Sequence, residues 1–129
     1  MIFAFMRKSP FYEKALAGEE FGLYNGYVAF SDELPQSWQS SWNEEGDVLD
    51  NHVRPHGGIT YDSIIKPGFE IIPLTAIPDP NEWSNGIRCI GFDTAHLGDN
   101  AKIWSFDNCK IETLEMLEEV ERLIEKSHG

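Results

Sequence analysis

Apolar residues recur at two periods along this chain, and the switch between them marks its most legible elements. From Ile111 to Lys126, the positions Ile111, Leu114, Leu117, Val120, Leu123 and Ile124 trace one helical stripe while glutamates occupy other positions. That pattern predicts an amphipathic helix near the C-terminus. From Gly86 to Asp93 the period is two, with Ile87, Cys89 and Gly91 on one side and Arg88, Ile90 and Phe92 on the other. Apolar residues on both sides place this strand at or near the centre of a sheet.

Elsewhere the chain is punctuated by glycine, proline and short polar runs. Tyr27 to Phe30 is aromatic and β-branched and reads as a strand entered through a turn at Asn25-Gly26. A second strand is expected from about Gly58 to Asp62, after Pro55 and the Gly57-Gly58 pair. Ile71 to Leu74 is apolar, but Pro73 confines it to a sheet edge or an irregular path. Phe11, Ala15 and Leu16 have helical spacing over a stretch long enough for only a turn or two. Pro78, Pro80 and Asn81 mark a surface loop, and Thr94 to Asn100 a second one. Strands followed by a terminal helix, without alternating βαβ units, predict an α+β domain spanning 1–129. Its small antiparallel or mixed sheet would carry the C-terminal amphipathic helix on one face.

Ser31 to Asp50 is a polar excursion holding Trp38 and Trp42, spaced to share one face of a short helix. The two rings either plug an edge of the core or form a partner-binding patch. With the edge near Ile71 to Leu74, they are the places where a homodimer interface would form.

Charge narrows the partners. Against 22 Asp and Glu stand 10 Lys and Arg, a net charge of −12, so bare nucleic acid is repelled over most of the surface. A basic protein or a small ligand is the expected partner. Cys89 and Cys109 belong to no paired metal or redox motif and are expected to be reduced. The run Met1 to Met6 is too short for a leader, and no stretch approaches the roughly 20 apolar residues of a membrane span. These features point to the cytoplasm and away from membranes.

Two segments concentrate titratable groups among glycines: His56-Gly57-Gly58-Ile59-Thr60-Tyr61 and Gly91-Phe92-Asp93-Thr94-Ala95-His96-Leu97-Gly98-Asp99. If adjacent, they form one ligand-binding site from His56, Thr60, Asp93, His96 and Asp99. Asp93, His96 and Asp99, spaced by three and joined by His56 or His52, would supply nitrogen and oxygen ligands for a divalent metal. Alternatively, Asp93 fixes the tautomer of His56 or His96 so that the other ring nitrogen acts as a base. The structural alternative is that these side chains lock two irregular loops together. Asp62 and Arg88 are candidates for an ion pair. No phosphate-binding loop, dinucleotide fingerprint or zincin helix occurs, and the sequence names no cofactor.

At these residues the chain resembles a family of small uncharacterised proteins of bacteria and their phages. Members carry an HGG-aliphatic-T-aromatic segment and a later GFD-x-AH-x-GD segment, here His56 to Tyr61 and Gly91 to Asp99. The likeness extends to Asn25-Gly26-Tyr27-Val28 and the terminal helix. It implies a phage or prophage accessory protein acting inside a bacterial host. The leading expectation for its role is a non-enzymatic binding or inhibitory module acting on a host protein or small ligand in the host cytoplasm. The alternative is a small metal-dependent hydrolase acting on a phosphoester or nucleotide, with His56 as acid or base. The family supplies no catalytic residue to carry over.

Overall fold

A computed structural model describes residues 1–31, 48–68 and 70–128. Trp38 and Trp42 lie outside the described residues. The strands are β1 (Ile2–Lys8), β2 (Tyr24–Phe30), β3 (Tyr61–Ile65), β4 (Ile72–Pro73) and β5 (Ile87–Phe92), with helices α1 (Tyr12–Leu16), α2 (Val48–His52) and α3 (Phe106–His128). The strands form one sheet in the order β3-β5-β2-β1-β4, and every pairing is antiparallel. With α3 packed on the sheet, the fold is α+β.

α3 covers one face. Its inward row is Cys109, Thr113, Met116, Val120 and Leu123, all buried against Ala4, Met6, Val28, Phe30, Ile90 and Phe92 of the sheet. Fully burying a Met or Leu of this row stabilises by roughly 2 kcal/mol. Helix and sheet approach closely at Gly26, where any Cβ would strike Phe92 and Thr113. The helix starts at Phe106, before the apolar stripe begins, because the Ser105 hydroxyl accepts the Asn108 N–H at 3.4 Å and caps a polar first turn. Ile111, expected on the inward stripe, is instead exposed. The row is anchored by Cys109 and Thr113, which a purely apolar count passes over.

The opposite face carries Phe3, Phe5, Tyr27, Ala29, Ile65, Ile87 and Cys89, and Trp83 packs over it from the segment after β4. Trp83 is held by a tight turn, Pro80–Trp83, whose entry Asp79 and Glu82 cap reciprocally. An aromatic row crosses this face: Phe5 stacks on Tyr27 at 5.2 Å, and Tyr61 meets Tyr27 edge-on at 5.5 Å. Between the two tyrosines runs Gly91, paired with both and leaving the Tyr27 ring the room a side chain would take.

Three strand expectations differ from the structure. Met1 to Met6, read only as too short for a leader, is most of β1 and buries Phe3, Ala4, Phe5 and Met6 completely. Asn25 and Gly26 do not turn but lie inside β2, opposite Arg7 and Met6. There the Asn25 side chain accepts from the Thr94 backbone N–H at 3.1 Å, an acceptor that a tight turn would have used locally. β3 starts at Tyr61 rather than Gly58, because Gly57 and Gly58 take φ of +70° and +82°, outside the extended region. Arg88 and Asp62 form the expected pair across β5 and β3, with Nε to Oδ1 at 3.0 Å and Nη2 to Oδ2 at 2.8 Å. Among the described residues, no helix is long and apolar enough to cross a membrane.

Candidate functional site

The loop after β5 is stitched down before it carries chemistry. Thr94 Oγ1 donates to the Tyr24 carbonyl at 2.7 Å, Gly22 N–H donates to the Thr94 carbonyl, and Leu23 N–H donates to the Trp104 carbonyl. Asn100 accepts the N–H groups of Lys102 and Ile103 and closes the next turn. These hydrogen bonds tie the backbone of the loop to β2 and to the turn that follows it.

Within that frame the two glycine-flanked segments meet. His56 Nε2 lies 2.8 Å from Asp99 Oδ1, and the same oxygen accepts Trp104 Nε1–H at 3.1 Å. The other oxygen, Oδ2, accepts the His96 backbone N–H at 2.8 Å. An ionised carboxylate only accepts, so toward an Asp99 carboxylate Nε2 of a neutral His56 is the donor, the tautomer that keeps the lone pair on Nδ1. Asp99 is 4% exposed and receives three donors from two segments. The His56 ring also packs on Trp104, with centroids 4.3 Å apart.

His96 is the second imidazole, edge-on to His56 with ring centroids 5.3 Å apart. Its Nε2 approaches Asp93 Oδ1 to 2.8 Å, but off the N–H axis, so the contact is a close approach of potential charges rather than an aligned hydrogen bond. The ring lies directly on Gly57, whose absent side chain makes the space. His96 and Asp93 are 35% and 42% exposed, so this pair faces solvent where Asp99 does not.

α3 supports the first segment from beneath. Glu112 accepts the His56 backbone N–H at 2.9 Å, and two turns later Glu119 accepts the Arg54 N–H at 3.0 Å. These two glutamates therefore leave the solvated face to which the helical pattern assigns them. Partial burial pushes the Glu112 carboxyl above the ordinary range, opposed by the His56 N–H.

Of the residues expected to form one site, the structure brings together His56, Asp93, His96 and Asp99. Thr60 joins only through its backbone, donating its N–H to the Gly91 carbonyl at 2.9 Å. His52 stands apart, on a groove with Glu119, Arg122, Leu123 and Lys126. Among the described residues, no group of three or more His, Cys, Asp or Glu is placed to hold a metal ion. Asp99, a member of the expected ligand set, already has both oxygens engaged. Trp104 and Glu112 complete the cluster and are not legible in advance, since nothing in their spacing ties them to the two histidines. Cys89 and Cys109 are buried, with burial pushing the Cys109 thiol up to about 12 and the Cys89 thiol higher still, so neither is a nucleophile at neutral pH.

Compared with protein-family models, with curated proteins and with solved structures, the chain matches none.

Proposed function

We propose that the protein is a non-enzymatic binding module that engages a basic partner protein through the face formed by His96 and Asp93 over the His56–Asp99 anchor. One observation carries this reading: the hydrogen-bonding capacity of Asp99 is used inside the fold, while Asp93 and His96 beside it remain accessible. Asp93, Asp99 and Glu112 surround two imidazoles, so a cationic group is favoured there over an anion. A partner arginine would meet the Asp93 carboxylate and stack on the adjacent imidazole. The resemblance to small bacterial and phage proteins supplies the setting, an accessory protein acting on a host component in the cytoplasm.

The test is retention of a partner from bacterial lysate by immobilised wild type, by the Asp93→Asn/His96→Ala double variant, and by a Glu121→Gln/Glu125→Gln control. The proposal expects one defined partner, held by the wild type and the control and lost by the site variant. Equal loss in the control would reduce the interaction to the overall negative charge and overturn it.

A second reading, hydrolysis of a phosphoester or nucleotide, is favoured by the His56–Asp99 pair, which leaves Nδ1 of His56 to take up a proton. It expects turnover of a phosphoester that disappears in His56→Ala. Its metal-dependent form has less support, because Asp99 is already saturated by donors from the protein.

A further inference from the structure

We propose that the outer edge of β3 accepts an extended segment of a basic partner protein as an added strand. β3 ends the sheet on one side, and its residues Tyr61–Ile65 all pair with β5. Which of them face outward follows from the hydrogen bonds of the sheet. At the two ends of the β1–β2 pairing, Ser9 N–H donates to the Leu23 carbonyl at 2.9 Å and Ser31 N–H to the Met1 carbonyl at 3.0 Å, so odd-numbered residues bond across that pair. Bonding direction alternates along each strand, which turns the even-numbered residues of β2 to β5 and the odd-numbered residues of β5 to β3. Asp62 and Ile64 therefore direct their N–H and C=O groups out of the sheet. Among the described residues, no hydrogen bond reaches these backbone groups.

The opposite edge of the sheet is closed. There β1 is met by Ile72–Pro73, whose proline has no N–H, and Ala4 donates to Thr75 Oγ1 and accepts the Leu74 N–H, both at 3.0 Å. β3 has none of these devices. It contains no proline or lysine, its one charge is neutralised by the Arg88–Asp62 pair, and Ile64 is 61% exposed. Ser63, on the other face, is exposed as well, so the middle of β3 is open on both faces. Antiparallel addition, the pattern of every pair in this sheet, places a partner side chain beside Ile64, where a β-branched residue packs best.

Charge selects the occupant. A second copy would bring another net charge of −12 to the edge, whereas a basic segment is attracted by the chain as a whole. The attraction has a direction along β3. Tyr61 pairs with Gly91, just before Asp93, whose carboxylate is 42% exposed, while the exposed Lys66 follows the other end of the strand. The cation of the added segment thus belongs at the Tyr61 end, which is the segment's C-terminal end in an antiparallel pair. A partner that reaches the His96–Asp93 face is in this way given a backbone register as well as a charge contact. The basic character of the occupant rests on the binding reading above, whereas the open edge does not.

The experiment is amide NMR with hydrogen exchange on the full chain at neutral pH. The probe is a short, C-terminally amidated peptide of alternating threonine and valine with arginine as its last residue, compared with a copy carrying glutamate there. In the free protein the Asp62 and Ile64 amides should exchange rapidly, while Ser63 and Ile65, bonded to β5, are protected. The arginine peptide should shift residues 61–65 saturably and protect Asp62 and Ile64, and the glutamate peptide should bind roughly tenfold more weakly, the loss of one charge-assisted contact. Ile64→Pro removes an outward N–H and no bond to β5, so it should abolish the response with Ser63 and Ile65 still protected. Ile64→Thr keeps the N–H and should retain the response. Asp62 and Ile64 already protected in the free protein, protection that rises with protein concentration alone, no saturable shift, equal binding of both peptides, or an undiminished response in Ile64→Pro would each overturn the proposal. In Asp93→Asn/His96→Ala the preference for arginine over glutamate should fall. Binding on β3 with that preference intact would remove the histidine face from the interaction and leave the strand addition standing.

Discussion

His56 and Asp99 are 43 residues apart in sequence, and their side chains meet at 2.8 Å. The contact joins the loop before β3 to the loop after β5. Because Asp99 also receives Trp104 and the His96 backbone, one buried carboxylate organises the whole cluster. Everything accessible at the site, His96 and Asp93 above all, is positioned by that anchor.

Glu112 should show opposite effects for two substitutions. Its folded-state pKa is raised by burial, so the stability linked to its protonation is greatest below the ordinary carboxyl range and is lost as pH rises through the folded pKa. At pH 7 its charge is therefore a modest cost. Glu112→Gln keeps an acceptor for the His56 N–H and should be neutral or slightly stabilising at pH 7, with that gain shrinking as pH falls toward the carboxyl range. Glu112→Ala leaves the N–H without its partner and should cost about 1 kcal/mol. Urea unfolding of both variants at several pH values checks this. A Gln variant as destabilised as the Ala variant at pH 7 would contradict it.

Gly57 and Gly58 make a paired test, because both have positive φ but only Gly57 carries the His96 ring. Gly58→Ala should cost about 1 kcal/mol from backbone strain alone. Gly57→Ala adds a steric clash and should cost at least twice as much while displacing His96, visible as a large imidazole shift by NMR. Equal costs, with His96 undisturbed in both, would mean that the ring does not depend on Gly57.

Cys89 and Cys109 lie on opposite faces of the sheet, in separate clusters, and are both buried. Neither should react with a thiol reagent at pH 8 in the folded protein, and both should react on unfolding in urea. Rapid labelling of native protein would contradict the burial assigned to β5 and the first turns of α3.

The period-two run of β5 and the stripe of α3 were readable because each buries side chains on a regular lattice, which a one-dimensional pattern preserves. The proximity of His56 to His96 was anticipated as a condition, since both segments pair unusual glycines with titratable groups. β1 was not legible: Phe3 to Met6 is continuously apolar because α3 covers one side of it and the Trp83 segment the other, so no alternation remains. Glu112 was hidden for the opposite reason. Its glutamate neighbours are solvated, and only tertiary contact with the His56 backbone separates it from them. Trp104 likewise acquires its role from the loop closure that brings its indole to Asp99.

The most direct measurement is a double-mutant cycle on stability with His56→Ala, Asp99→Asn and the combination, by urea unfolding at pH 7. If the two motifs form one unit through this contact, the single costs fail to add, with a coupling of about 1–2 kcal/mol. Additivity to within about 0.5 kcal/mol would show that the histidine and the carboxylate act independently, and the anchor on which the binding face rests would be lost from the account.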